Sequence, residues 1–318
     1  MGHRSLGTPR AARPRPRWFL DPVAGWFRRL ERVTSLSLSR AVFPRVPGIG
    51  APYGWQLRRG MVVSESEIPL PDLPAGLDGL RLLLLTDLHA GPFLGPGVLL
   101  ETFRRLASLR PEVVLLGGDL VTTSVRDLER VAPALAALRG SLATLAVLGN
   151  HDHYTGDPAG LRDLLRGLGI ATLHNDAAPV EHPRGRLIVA GVDDRNAGRP
   201  DLARALGRAR SLLGEGTGPV VLLSHNPDMF FDAARAGVPL TLAGHTHGGQ
   251  IRIPGLPVLV RMSRFHLDHG RYRHGAAELV VSRGLGVSGL PLRVACSPEV
   301  VLITLRSAKR GLPDRQLK

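Results

Sequence analysis

With 318 residues, 43% of them hydrophobic, the chain is long enough to bury a substantial core as one large domain or two smaller ones. The formal net charge of +14 invites a nucleic-acid binder, but residues 1–60 hold twelve arginines against only Asp21 and Glu31, so most of the excess lies there. The remainder carries only about +4, which argues against nucleic acid as a partner. A single cysteine, Cys296, excludes an intrachain disulfide framework and fits a reducing, cytoplasmic compartment.

Residues 1–17, rich in Arg and Pro, are expected to be disordered. From Trp18 to Arg40 the apolar residues Phe19, Val23, Trp26, Phe27, Leu30 and Val33 recur at three- and four-residue steps, the spacing of an amphipathic helix. Tryptophans beside Arg28, Arg29 and Arg32 suit a segment lying on an anionic membrane face, which would make the protein peripheral on the inner side of the cell membrane. A helix docked on the following domain is the alternative. Arg28-Arg29 is not followed by an apolar core of signal-peptide length, so twin-arginine export is not expected. No stretch approaches the roughly 18 apolar residues of a spanning helix. The expected organisation is a basic tail over 1–57, one catalytic domain over 58–307 and a frayed end over 308–318.

After a first strand near Met61 to Ile68, apolar runs alternate with helical patterns at 97–109, 125–138, 158–168, 200–213 and 227–236, implying a layered α/β domain. Five short islands rich in polar and titratable residues directly follow such runs: Asp87-Leu88-His89, Gly118-Asp119, Gly149-Asn150-His151-Asp152, His225, and Gly244-His245-Thr246-His247. Asp87 and Asp119 are 32 residues apart and Asp119 and Asn150 are 31 apart, close to one βαβ unit. Parallel strands would then bring their loops to one sheet edge, where open α/β sheets bind ligands. Beyond residue 247, short segments at 250–253, 256–260, 278–282, 292–295 and 299–305 suggest a mostly antiparallel second sheet.

Singly, each island reads as a helix cap or a turn. Together they supply carboxylate and imidazole ligands suited to two divalent transition ions such as Mn, Fe or Zn, with Asp119, alone in its loop, as the natural bridge. Such a pair can generate a nucleophile near neutral pH and neutralise charge on a phosphate ester.

The order D-x-H, G-D, G-N-H-D, H, G-H-x-H resembles the calcineurin-like metallophosphoesterases over about residues 60–306. That resemblance implies an αββα sandwich of mixed sheets flanked by helices. It implies one metal on Asp87, His89, Asp119 and His247 and a second on Asp119, Asn150, His225 and His245. A bridging hydroxide would attack phosphorus, His151 would protonate the leaving oxygen or stabilise the transition state, and Asp152 would orient the His151 ring. The segments Asn150 to Tyr154, Gly191 to Asp194, Ser224 to Asp228 and Ser282 to Gly284 look like a bacterial branch containing cell-envelope phosphodiesterases and UDP-2,3-diacylglucosamine hydrolases. A phosphodiester or pyrophosphate, including a lipid-linked nucleotide, is therefore the expected substrate. The alternatives are a soluble nucleotide or nucleic-acid phosphodiesterase, and a noncatalytic membrane-associated scaffold. Arg195 is a candidate phosphate clamp, and Arg283, a candidate substrate contact, lies with Arg293 in glycine-bearing segments where backbone could approach a ligand, structural salt bridges being the other reading. His153, Tyr154 and His174 stand outside the expected metal site.

Overall fold

A computed structural model of the chain describes residues 2–12, 37–38, 41–214, 218–256, 258 and 261–308. Apart from residues 37–38, the amphipathic helix expected over 18–40 lies outside the described residues, as does all but Ala308 of the expected frayed end.

The apolar runs form strands because both of their faces are covered. In β4 (Arg81–Leu85), Leu82 and Leu84 pack with Val221, Leu223, Leu240 and Leu242 of a facing sheet, whereas Leu83 and Leu85 pack with Phe103 and Leu106 of a helix. The first sheet runs β1 (Gly2–Ser5), β3 (Val62–Pro71), β14 (Glu299–Ala308), β4, β5 (Val113–Gly117), β6 (Ala143–Val147) and β7 (Ala171–Thr172). The second runs β2 (Arg10–Ala11), β12 (Gly270–His274), β13 (Ala277–Val281), β11 (Leu240–Ala243), β10 (Val220–Leu223), β9 (Gly185–Gly191) and β8 (Asp176–His182).

Helices α1 (Ala51–Gly60), α2 (Pro96–Ala107), α3 (Val125–Ala137) and α5 (Pro158–Gly167) cover the outer face of the first sheet through Tyr53, Leu57, Phe103, Val131 and Leu161. On the second sheet, α6 (Leu202–Leu213) and α7 (Phe230–Arg235) bury Ala205, Ala209 and Ala233. The short α4 (Asn150–Tyr154) follows β6. Caps mark the predicted helix starts: Ser124 accepts from the Arg126 N–H, Asp157 from Gly160 and Asp201 from Arg204. The result is the expected sandwich of two mixed sheets between helices.

Several expectations need correction. Residues 2–5 and 10–11 are paired rather than disordered: β1 lies parallel on the open edge of β3 and β2 on that of β12, where unpaired backbone groups accept any chain in register. The boundary at 57/58 falls inside α1, whose Tyr53 and Leu57 are fully buried, so the domain begins before residue 58. Ala308 pairs with Pro71 as the last residue of β14. The second sheet is parallel across β9, β10, β11 and β13 and antiparallel only at β8–β9 and β12–β13. The run at 299–305 returns to the first sheet, parallel to β3 and antiparallel to β4. Residues 250–253 and 292–295 are loops joined by one bridge, Ile251 to Val294. The unforeseen β12 hides behind charge, with Arg271 and Arg273 both paired to Glu278 of β13.

Candidate metal centre

The parallel strands β4, β5, β6, β10 and β11 end at one edge, and each leads within three residues to a predicted ligand. The turns are tight and strained. Asp87, His89, Asp119, His245 and His247 have φ of 53°, 45°, 52°, 72° and 50°, left-handed values that cost non-glycine residues about 1–3 kcal/mol each and persist where the surroundings over-determine them. The backbones also approach closely: a Cβ on Gly149 would lie 2.2 Å from Asp119 Oδ1, and one on Gly244 would lie 2.5 Å from Asp87 Oδ2.

These turns bring together Asp87, His89 and His247 as one group of potential ligands, and Asp119, His225 and His245 as another. Within the first, His89 Nε2 and His247 Nε2 are 3.0 Å apart and His247 Nε2 is 3.5 Å from Asp87 Oδ1. Within the second, His245 Nδ1 is 3.2 Å from His225 Nε2. Asp119 joins the two, its Oδ2 lying 3.5 Å from His89 Nε2 and 3.3 Å from His225 Nε2. His225 Nδ1 donates to the Gly117 carbonyl at 2.8 Å, which fixes the tautomer and aims Nε2 inward.

Burial pushes Asp87 up to about 6 and holds His89 and His247 well below the usual imidazole range, while His245 falls to about 3. Neutral imidazole is the ligand form. Burial opposes the Asp119–His225 ion pair, yet mutual attraction wins: the carboxyl is held well below its ordinary range and the imidazole well above.

Asn150, at the first turn of α4, is buried, and its Oδ1 has no hydrogen-bond partner. A buried carbonyl oxygen without a hydrogen-bond partner, next in sequence to a residue that touches Asp119, is suited to ligate a cation, and the N/O donor set suits divalent transition ions. His89, Asp119 and His151 form a third, overlapping group. The His151 N–H donates to Asp119 Oδ1 at 2.8 Å, and its ring Nδ1 donates to the Thr122 carbonyl at 3.0 Å, leaving Nε2 for the crevice.

Three predicted roles change. Asp152 does not orient the His151 ring: its carboxylate accepts the N–H groups of Gly149 at 2.9 Å, Leu120 at 2.9 Å and Val121 at 3.2 Å, so it ties the Asn150 loop to the Asp119 loop. Burial and the nearby Asp119 push it up to about 7. Arg195 is not a free cation: its Nη1 donates to Asp232 at 3.0 Å alongside Met229 Sδ. Arg283 is buried in a two-pronged pair with Glu299, at 2.9 and 3.1 Å, where Ser64 also donates. Strand-end position in the sequence does not reveal which way a side chain turns.

Groups outside the expected ligand set adjoin the site, and of these only Asn196 is unforeseen. Arg293 is buried and donates to the carbonyls of His247, Arg283, Gly284 and Gly286. Asn196, in a turn held by Asp194 Oδ1, places its side-chain amide 3.1 Å from His245 Nε2. His153 pairs with Asp193 at 2.7 Å, which raises its pKa. Neither an isolated Asn nor an Arg in a glycine-rich loop carries a spacing signal.

A family model described as calcineurin-like phosphoesterase matches residues 80–249. A "transmembrane protein with metallophosphoesterase domain" from Danio rerio is 35% identical over 259 residues, covering 77% of this chain and 57% of that protein. The chain thus spans little more than half of that relative's length. The metallophosphoesterase YkuE of Bacillus subtilis is 29% identical over 265 residues, covering 82% of this chain and 91% of the relative. A metallophosphoesterase of Aquifex aeolicus is 30% identical over 246 residues, covering 77% and 91%. Among the described residues no helix is long and apolar enough to cross a membrane. Ligand order, converging strand ends and these matches agree: the chain belongs to the calcineurin-like phosphoesterases, a family of metal-dependent phosphoester hydrolases.

Proposed function

We propose that the protein hydrolyses a phosphodiester or pyrophosphate at a dinuclear centre held by Asp87, His89, Asp119, Asn150, His225, His245 and His247. The observation that carries this reading is the position of Asp119 Oδ2 between His89 and His225, one from each ligand group. Two divalent ions bound there would supply Lewis acidity and a nucleophile near neutral pH. The protein's own contribution is geometric and protonic. Strained loops fix the donors before substrate arrives. His151, anchored through Nδ1 and its backbone N–H, presents Nε2 to donate a proton to the leaving oxygen.

Within that class a lipid-linked nucleotide, such as UDP-2,3-diacylglucosamine, is the leading substrate. It is supported by a groove of about 990 Å³ lined by Phe43, Ile49, Phe93 and Val98, with Arg58, Arg126 and Arg130 alongside and Asp127 as the one carboxylate among the lining residues. The groove is bounded by Thr123 and Thr155, each adjacent in sequence to a residue touching His151: Thr122 by its carbonyl and Tyr154 by its ring. Apolar walls beside cations suit an amphiphilic phosphate ester.

Turnover of bis-p-nitrophenyl phosphate by manganese-loaded protein, compared with Asp119→Asn, tests the reaction class; equal rates for the two would sink it. A panel of UDP-diacylglucosamine, cyclic nucleotides and DNA, scored by turnover, then tests the substrate. Preference for the soluble nucleotides would remove the lipid-linked reading and leave the reaction class intact.

A further inference from the structure

Six large apolar side chains on three neighbouring segments are exposed: Trp55 at 59%, Ile253 at 48%, Leu256 at 52%, Leu290 at 51%, Leu292 at 39% and Val294 at 44%. The segments are tied into one platform by backbone and amide hydrogen bonds. Val294 N donates to Gln250 O and Arg252 N to Val294 O, both at 3.0 Å. The Gln250 side chain spans to Ser288 and Leu290. The Gln56 side chain, beside Trp55 on α1, pairs with both backbone groups of Arg293 at 2.6 and 2.9 Å. None of these exposed side chains is needed to close the core.

The segments that carry them bear charge of one sign, although Glu101 of α2 pairs with Arg58 at 2.7 Å. Residues 49–60, 248–256 and 284–296 contain no Asp or Glu. Arg59 lies over the Trp55 ring at 5.1 Å, and neither it nor Arg252 has a carboxylate partner among the described residues. Contiguous exposed apolar surface marks an interaction site. Aliphatic tips, one tryptophan and arginines without acids match a bilayer interface, where chains enter the acyl boundary, Trp sits at headgroup depth and Arg meets anionic lipid. A protein partner would ordinarily be met by charges of both signs around the apolar centre.

We propose that this platform docks the protein on an anionic lipid surface. It deepens the lipid-linked reading above but is independent of catalysis, since docking is read without turnover. The platform begins three residues after His247, and Arg293 within it holds the His247 carbonyl at 3.1 Å. Docking therefore sets the metal centre at a fixed height and tilt over the lipid headgroups.

The test uses the full chain, vesicles of equal phosphatidylcholine and phosphatidylglycerol, and the triple variant Leu256→Ser, Leu290→Ser, Leu292→Ser. These side chains are exposed, so turnover of bis-p-nitrophenyl phosphate by the variant should match that of the unaltered protein and report an intact fold. Sedimentation with the vesicles should weaken by about tenfold or more. In a Trp18→Phe, Trp26→Phe background, Trp55 is the sole tryptophan, and its emission should shift to the blue and be quenched by brominated acyl chains. Vesicle binding by the triple variant as tight as that of the unaltered protein overturns the proposal. So does an unaltered protein that self-associates through this patch, becomes monomeric with the same substitutions and leaves the vesicles unbound.

Discussion

Arg293 donates to the carbonyl of His247 at 3.1 Å while the same guanidinium bonds the carbonyls of Arg283, Gly284 and Gly286. A buried cation with no carboxylate partner among the described residues thus holds a ligand loop against the loop that follows β13. Arg293→Lys keeps the charge but cannot span four acceptors, and leaving buried carbonyls unpaired costs about 1–3 kcal/mol for each. We expect a lower melting temperature and a metal affinity reduced about 10- to 100-fold, checked by calorimetry and by metal titration. An unchanged affinity would remove Arg293 from the support of His247.

His151→Ala separates proton transfer from metal binding. The seven ligands remain, so metal content per chain should stay at the unaltered level while kcat falls by about 10²- to 10⁴-fold. Elemental analysis beside steady-state kinetics checks this. Loss of one whole ion per chain would make His151 a ligand instead.

For Asp152→Asn the expectation is the reverse. Its carboxylate accepts three backbone N–H groups, and an amide turns one acceptor into a donor facing donors. Stability should drop by about 1–3 kcal/mol and metal should bind more weakly. At saturating metal, kcat should change only a few-fold, because Thr122 rather than Asp152 holds the His151 ring. A hundredfold fall at full occupancy, with stability intact, would restore a direct role on His151.

Glu299 is the acid of a buried pair. Burial alone would raise its pKa, but Arg283 holds the carboxyl below its ordinary range. A depressed folded pKa contributes stability above the unfolded value, about 4.3, and loses it as pH falls through the folded value. Glu299→Gln should therefore destabilise by about 3–5 kcal/mol near neutral pH, with the difference from the unaltered protein shrinking in acid. Chemical denaturation across pH measures it, and a pH-independent difference would refute the ionic origin.

The contrast between Asp119 and Arg283 shows what could be read in the residues. Asp119 follows a five-residue apolar strand in a parallel series, so strand direction alone delivers it to the crevice edge. The same reasoning reaches His225 and His245, two residues beyond the ends of β10 and β11. Arg283 also follows a strand, β13, yet its side chain turns to Glu299 of β14, a partner that only the three-dimensional register supplies. Arg195 likewise pairs across the fold, with Asp232 on α7. The short segments after residue 247 suggest a mostly antiparallel second sheet. Two of them, 278–282 and 299–305, join different sheets, each with one parallel and one antiparallel neighbour, a choice made by long-range pairing rather than by local pattern.

The place of β14 has a consequence for how the molecule is made. It lies between β3 and β4, pairing with β3 from residue 299 to residue 308. On the ribosome, the facing edges of β3 and β4 therefore wait for a strand that emerges more than 200 residues later. The Asp87 loop, which follows β4, settles late in synthesis although it is encoded early. Until then both edges are open to mispairing, which makes the nascent protein a natural client for chaperones that shield exposed strands.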